Sequence, residues 1–140
     1  MQARNATTLA SALILTLVQT GCGEPRYPAV EVTLDEYPGV TFQMSAADAT
    51  SASPVVTTVK GRELTAEDGA HRIRLQRRWV AMHAPEGSSL AAMGSAICGV
   101  ERKGEFPGCD IVFVQAPGMK EETEYFFYDG NWPFANEFAK

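Results

Sequence analysis

The side chains best suited to acid–base chemistry in this 140-residue chain are two histidines, His71 and His83, because imidazole titrates close to neutral pH. The sequence contains no Gly-x-Ser-x-Gly pattern, phosphate-binding glycine loop, HExxH zinc motif or calcium-binding loop. We therefore predict that the chain is not an enzyme and needs no cofactor or metal. A small hydrolase that uses His71 or His83 is kept as an alternative.

Three arginines form a candidate anion-binding stripe: Arg72, Arg74 and Arg78. Residues 71–76 (HRIRLQ) alternate apolar and polar side chains, and this period of two predicts a strand. Alternate residues on one strand face lie about 7 Å apart, and arginine is well suited to binding carboxylates and phosphates. The interpretation that we favour is a solvated strand face that pairs with acidic neighbours.

The C-terminal region contains a dense group of aromatic residues on both sides of the dipeptide Asp129-Gly130. This dipeptide is typical of a two-residue hairpin turn. That turn would place four aromatic side chains on one side of the hairpin. They form either a stacking platform for sugar or peptide, or a core face that closes the sheet, which we favour because exposed aromatic patches promote aggregation. These residues are Tyr125, Phe127, Trp132 and Phe134.

The N-terminus has the pattern of a secretory signal peptide. A polar start with one basic residue, Arg4, precedes the apolar residues 9–18 (LASALILTLV). A membrane-spanning helix needs roughly 20 apolar residues, whereas a signal peptide has an apolar stretch of about 7–15. We therefore predict that residues 1–21 are a cleaved signal peptide.

Residues 17–22 (LVQTGC) resemble the lipobox of bacterial lipoproteins, with the small residues Thr20 and Gly21 before Cys22 and with Gln19 in place of an aliphatic residue. The resemblance implies cleavage before Cys22, acylation of Cys22 and a lipid anchor that faces away from the cytoplasm. In a cell with two membranes, Gly23 after the cysteine implies the periplasmic face of the outer membrane. Two or three acyl chains would hold the domain stably at the bilayer.

The cysteine count supports export. The chain has three cysteines, Cys22, Cys98 and Cys109, and an odd thiol in an exported protein needs an explanation. If Cys22 carries lipid, the other two are free to form a disulfide, which persists outside the cytoplasm. The alternatives are two free buried thiols or, with the histidines, a metal site.

Length and composition predict one small domain. Residues 22–29 suit a short lipidated tether because they contain Gly23, Pro25 and Pro28, and residues 30–140 form the domain. The net charge of −5 argues against nucleic-acid binding, which would need a basic face.

Apolar periodicity is mostly of the strand type. It predicts a hairpin within residues 29–44 that turns at Pro38-Gly39, a strand over residues 55–60, and a central strand over residues 110–115 (DIVFVQ). Residues 88–97 (SSLAAMGSAI) are the best helix candidate, and a strand through Ala96-Ile97-Cys98 is the alternative. The predicted fold class is mainly β, a small antiparallel sheet, sandwich or barrel-like domain with at most one short helix, over residues 88–97.

These features predict a membrane-anchored envelope lipoprotein that acts as a non-catalytic binding or accessory module. It would hold an envelope protein or polymer through a face or edge of its sheet. The second hypothesis is an inhibitor or immunity-type lipoprotein that blocks a lytic enzyme or toxin. For that role, residues 103–107 (KGEFP), between the later cysteines, are the candidate contact loop.

Overall fold

The computed structural model describes residues 23–99 and 108–133. Most of the regular structure lies in two antiparallel three-stranded sheets, which confirms the predicted mainly β fold. The first sheet has the strand order β1-β2-β3 and consists of β1 (Val30–Leu34), β2 (Tyr37–Met44) and β3 (Thr57–Val59).

Two helices separate the sheets in sequence, a short α1 (Ala66–Gly69) and a longer α2 (Arg72–His83). The second sheet has the strand order β4-β5-β6, formed by β4 (Ser89–Ile97), β5 (Gly108–Gln115) and β6 (Thr123–Tyr128). Neither helix in the described ranges has the length and apolar character that a membrane span requires.

The predicted first hairpin is present, but its turn lies at residues 35–36 instead of Pro38-Gly39. The register between β1 and β2 shifts between Thr33 and Leu34. Gly39 has a φ of +82°, a left-handed conformation that glycine adopts without steric cost. The Pro-Gly pair therefore lies in an irregular part of β2 and does not make the turn.

The strand predicted for residues 71–76 is wrong, because α2 begins at Arg72. The buried residues of α2 are spaced along one helical face, and they are Leu75, Gln76, Trp79 and Val80. Ile73, which a strand would bury beside Leu75, is 36% exposed. Six residues of alternation are too few to distinguish a strand from a helix whose apolar stripe begins at Leu75.

The helix predicted for residues 88–97 is also wrong, since nearly all of this stretch forms β4. This strand pairs with β5 from Ser89↔Gln115 to Ile97↔Gly108. Gly94 disfavours a helix by about 1 kcal/mol relative to alanine, and a Cβ at this position would lie 3.3 Å from the Phe113 ring. The missing side chain lets the ring of Phe113 pack closely over β4.

Cys98 and Cys109 form the predicted disulfide, with their Cα atoms 5.5 Å apart. The alternatives of free thiols and of a metal site at these cysteines are therefore wrong. Cys109 lies opposite Ala96 in the β4–β5 register, so the bond fastens the end of β4 to its neighbour. Closing a loop of this length contributes on the order of 3 kcal/mol in the chain-entropy model.

The main core joins the first sheet, α2 and one face of the second sheet. The predicted central strand is confirmed, because β5 pairs with strands on both sides and buries Cys109 and Val112, one from each of its faces. The core residues contributed by these three parts include Val32, Leu34, Phe42, Met44, Leu75, Trp79, Val112, Val114, Tyr125 and Phe127.

Part of the predicted tether belongs to the domain. Tyr27 exchanges two backbone hydrogen bonds with Ala47, at 3.0 and 3.1 Å, and its ring lies 4.9 Å from that of Trp79. The backbone N–H of Arg26 donates to Asp48 at 2.8 Å. The chain is therefore attached to the domain by Arg26, through the segment that follows β2, four residues after Cys22.

The hairpin predicted at Asp129-Gly130 does not form within residues 108–133. A returning strand would need the outer edge of β6, where Tyr128 N–H already donates to Val55 at 2.8 Å and Val55 N–H donates to Phe126 at 2.9 Å. The chain turns instead, as Trp132 N–H donates to the Asp129 carbonyl at 3.0 Å. Phe134, the predicted partner of Tyr125, lies outside the described residues.

Candidate functional site

Arg72, the first member of the predicted stripe, is paired inside the domain. Its Nε lies 3.1 Å from Asp110 Oδ2, and Gln76 Nε2 donates to the same buried oxygen at 2.7 Å. Burial raises the pKa of the neighbouring Asp129, and the negative charge of Asp110 raises it further. Arg72 therefore neutralises a buried carboxylate and is not available to an external anion.

The other two arginines of the stripe are exposed on α2. Arg74 forms a surface ion pair with Glu36 at 2.8 Å, whereas Arg78 makes no ion pair with any described residue. The arginines lie on a helix, so Arg72 is turned away from Arg74 and Arg78, which are one turn apart. The continuous strand-face stripe predicted from the sequence is therefore wrong.

The aromatic residues Tyr125, Phe127 and Trp132 are at most 3% exposed and belong to the core. The ring of Trp79 lies 5.7 Å from Tyr125 and 5.3 Å from Phe127. Burial raises the pKa of Tyr125 to about 12. These positions match the core interpretation and not an exposed stacking platform.

Both histidines contact aromatic rings. His71 stacks on Tyr37 with ring centroids 4.3 Å apart, and its Nδ1 lies 3.1 Å from Arg74. His83 Nδ1 lies 2.8 Å from the backbone oxygen of Trp79. In the part of the chain that the structure describes, neither imidazole hydrogen-bonds a serine, threonine or cysteine that it could activate, and no group of three or more metal-ligating side chains occurs.

Sequence reasoning missed a buried ionic cluster around Asp68. Arg62 donates two hydrogen bonds to its carboxylate, at 2.7 and 2.9 Å, while Thr65 N–H donates at 2.7 Å and Tyr37 OH at 3.0 Å. The guanidinium of Arg62 and these donors hold the pKa of Asp68 well below its usual range. Every oxygen of the buried carboxylate is thus satisfied, and the cluster has a structural role in linking β2 to α1.

One candidate binding feature is a groove between the end of α2 and the start of β4. It has a volume of about 400 Å³. Apolar residues supply most of its lining, among them Val80, Ala84, Pro85, Leu90 and Val114. Arg77 and Glu86 are its two charged lining residues.

The groove adjoins an open sheet edge. β4 is an outer strand of the second sheet, and no backbone hydrogen bond within the described ranges joins its outer side to another segment. Residues 88–99 contain no charged side chain, whereas Leu90 is 45% and Ile97 69% exposed. The uncharged run was visible in the sequence, but its position at a sheet edge required the correct assignment of β4.

Two further predicted features fall outside the described residues, namely Cys22 and the loop of residues 103–107. No protein-family model matches the chain, and comparisons with curated proteins and with solved structures find no match. The fold and the groove define a disulfide-linked domain of two small sheets with an open edge.

Proposed function

We propose that this protein is a lipid-anchored lipoprotein of the bacterial cell envelope that acts as a non-catalytic binding module. The observation that carries this proposal is the open, uncharged edge of β4 beside an apolar groove. Its partner is an envelope protein that contributes a strand, because a strand can satisfy the backbone donors and acceptors of the edge.

An exposed, uncharged edge strand such as β4 is unusual in a protein that does not bind a partner through it. Sheet edges normally carry charged side chains, prolines or covering segments, which prevent pairing between molecules. The other edge of the same sheet, at β6, is covered by Ala49 and Val55. One of the two outer strands of the first sheet, β1, carries Glu31, which is paired with Lys60. β4, with nine residues, has no charged side chain, proline or covering segment in the described structure, although its register with β5 shifts between Leu90 and Ala92.

The anchor is supported by the disulfide. The bond between Cys98 and Cys109 occupies two of the three cysteines, so neither is open to pair with Cys22. A disulfide in a small domain is typical of an oxidising compartment. Attachment of the chain to the domain at Arg26, through Asp48, then leaves only a few residues between the lipid and the domain.

The proposed lipid anchor at Cys22 leads to the first testable prediction. Intact-mass spectrometry of the mature protein from membranes should find a chain that begins at an acylated Cys22. Cys22→Ala should remain uncleaved and Gln19→Leu, which restores an aliphatic residue to the lipobox, should be processed at least as completely as the native chain. A mature N-terminus elsewhere, or an unmodified Cys22, would contradict the anchor.

The open edge of β4 leads to the second testable prediction. A photo-crosslinking amino acid at Ala91, an exposed residue of β4, should yield a defined adduct with one envelope protein in intact cells. The same probe at Ala46, an exposed residue outside the strands, is the matched control and should yield none. Leu90→Lys should reduce the Ala91 adduct, because a charged side chain at an edge opposes strand addition. Equal adducts from both positions, or none, would contradict edge binding.

A further inference from the structure

We infer that the groove selects a partner strand in which a carboxylate side chain accompanies an apolar one. This inference rests on the proposed function, because it assumes that the partner pairs with β4. It adds the chemistry by which the partner is recognised, namely an extended acidic peptide segment.

The apolar half of the recognition follows from the geometry of the sheet. Leu90 pairs with Val114 in the β4–β5 register, and Val114 belongs to the core face of the second sheet. Side chains opposite each other in neighbouring strands lie on the same face. A strand added to β4 therefore directs alternate side chains to the face that holds Leu90, towards Val80 and Ala84 of the groove.

The preference for a carboxylate follows from positive charge on α2 that is not neutralised within the described residues. Arg72 is neutralised by Asp110 and Arg74 by Glu36. Arg77 and Arg78 are exposed, and no carboxylate of a described residue lies within ion-pair distance of either. Arg77 also lines the groove, so a bound strand meets an unpaired positive charge beside an apolar surface.

The second charged residue of the lining, Glu86, follows α2 in the loop to β4. It disfavours a uniformly acidic peptide, because like charges repel at short range. The favoured ligand therefore carries its carboxylate next to Arg77 and an uncharged or basic residue next to Glu86. The two lining charges thus set the direction in which the peptide lies.

A second copy of this chain is a poorer occupant than a different protein. If two copies paired through β4, each would present an uncharged strand, since residues 88–99 contain no carboxylate. Arg77 would then remain without a partner. Charge complementarity between the groove and its ligand therefore favours an acidic segment from another protein.

The test uses three blocked, fluorescent eight-residue peptides with valine at alternate positions. The peptides carry a single glutamate, glutamine or lysine at the same central position, and fluorescence anisotropy measures their binding to the mature full-length protein. We expect the glutamate peptide to bind about two- to fivefold more tightly than the glutamine peptide, as is usual for a partly exposed ion pair. The lysine peptide should bind most weakly.

Variants then test which arginine produces the preference for the glutamate peptide. Arg77→Gln should abolish the preference for glutamate, so that the glutamate and glutamine peptides bind this variant with equal affinity. Arg78→Gln is the matched control and should have a smaller effect, because Arg78 does not line the groove. Circular dichroism of each variant checks that the exposed substitutions leave the fold intact.

The outcomes separate this inference from the proposed function. Equal binding of the glutamate and glutamine peptides, with both sensitive to Leu90→Lys, overturns the acidic selectivity and leaves binding at the edge standing. No peptide binding, together with no crosslink at Ala91, overturns the proposed function itself. Self-association in sedimentation velocity that Leu90→Lys abolishes identifies a second copy as the occupant and overturns the acidic partner.

Discussion

Replacing Trp79 by alanine is expected to lower the free energy of unfolding by about 4 kcal/mol, in the range for large aromatic residues removed from a core. Trp79 is fully buried and ranks among the largest buried side chains. Its ring contacts Tyr27, Tyr125 and Phe127, so it joins the N-terminal segment, α2 and the second sheet. Urea denaturation at neutral pH with the disulfide intact measures the loss.

Two further variants make this prediction specific. Trp79→Phe should cost much less than alanine, partly because the buried indole Nε1 has no hydrogen-bond partner among the described residues and its removal relieves an unsatisfied donor. Arg78→Ala, at the exposed neighbouring position, should change stability by no more than about 0.5 kcal/mol. A loss below 1 kcal/mol for Trp79→Ala would contradict the packing of α2 against the second sheet.

The effect on the groove follows from the position of Trp79 in α2. Val80 is the next residue of the helix and Ala84 lies one turn beyond it, and both line the groove. If Trp79 fixes α2 against the sheet, its loss should loosen the groove as well as the core. Peptide binding should then weaken in Trp79→Ala under conditions where the variant remains folded, and Trp79→Phe should retain it.

The sequence was sufficient to predict those elements in which the apolar pattern and the flanking residues indicated the same structure. The alternation in residues 30–34 and 40–44 predicted a hairpin, and apolar residues on both faces of residues 110–115 predicted a central strand, because these signals depend on the period of the strand alone. The disulfide was predictable from the cysteine count. The mainly β class follows from these strands together.

Two of the errors of secondary structure, over residues 71–76 and 88–97, have a common cause. Residues 71–76 alternate like a strand, but the large core residue Trp79 lies one helical turn after Leu75 and decides the conformation. Residues 88–97 contain many small side chains, which a helix accommodates. They form a strand because pairing along β5 supplies backbone hydrogen bonds and the Phe113 ring covers Gly94. Tertiary contacts override local propensity in both cases.

The groove could not be predicted because it exists only between these two misassigned elements. With residues 71–76 as a strand and 88–97 as a helix, Arg77 and Leu90 have no reason to be neighbours. The Asp68 cluster was equally hidden, since Tyr37 lies far from Asp68 in sequence. The one signal that pointed to the site was the absence of charge from Ser88 to Gly99.

Replacing Arg62 by methionine is expected to lower the free energy of unfolding by about 3 kcal/mol at pH 7. Removal of one partner leaves the buried carboxylate of Asp68 without its counter-charge, a change that typically costs about 3–5 kcal/mol. The lower end applies because Thr65 and Tyr37 still donate to Asp68 and because the Arg62 side chain is 39% exposed. Arg78→Met, which breaks no ion pair among the described residues, is the matched control.

The loss should depend on pH in a direction that the lowered pKa of Asp68 fixes. Because the folded-state pKa lies below the unfolded value of about 3.9, the ionised carboxylate stabilises the native state above that value. This contribution is lost as pH falls through the folded-state pKa. The difference between native protein and Arg62→Met should therefore be greatest near pH 7 and should shrink below about pH 4.

A double variant separates the charge from the packing. Arg62→Met with Asp68→Leu removes both charges together, and replacing a whole buried pair by apolar residues is often close to neutral. The double variant should therefore be more stable at pH 7 than Arg62→Met alone, although Tyr37 and Thr65 lose their acceptor. If Arg62→Met retains full stability at pH 7, or if its deficit grows as the solution is acidified, the bidentate pair does not hold α1 to the segment that follows β3.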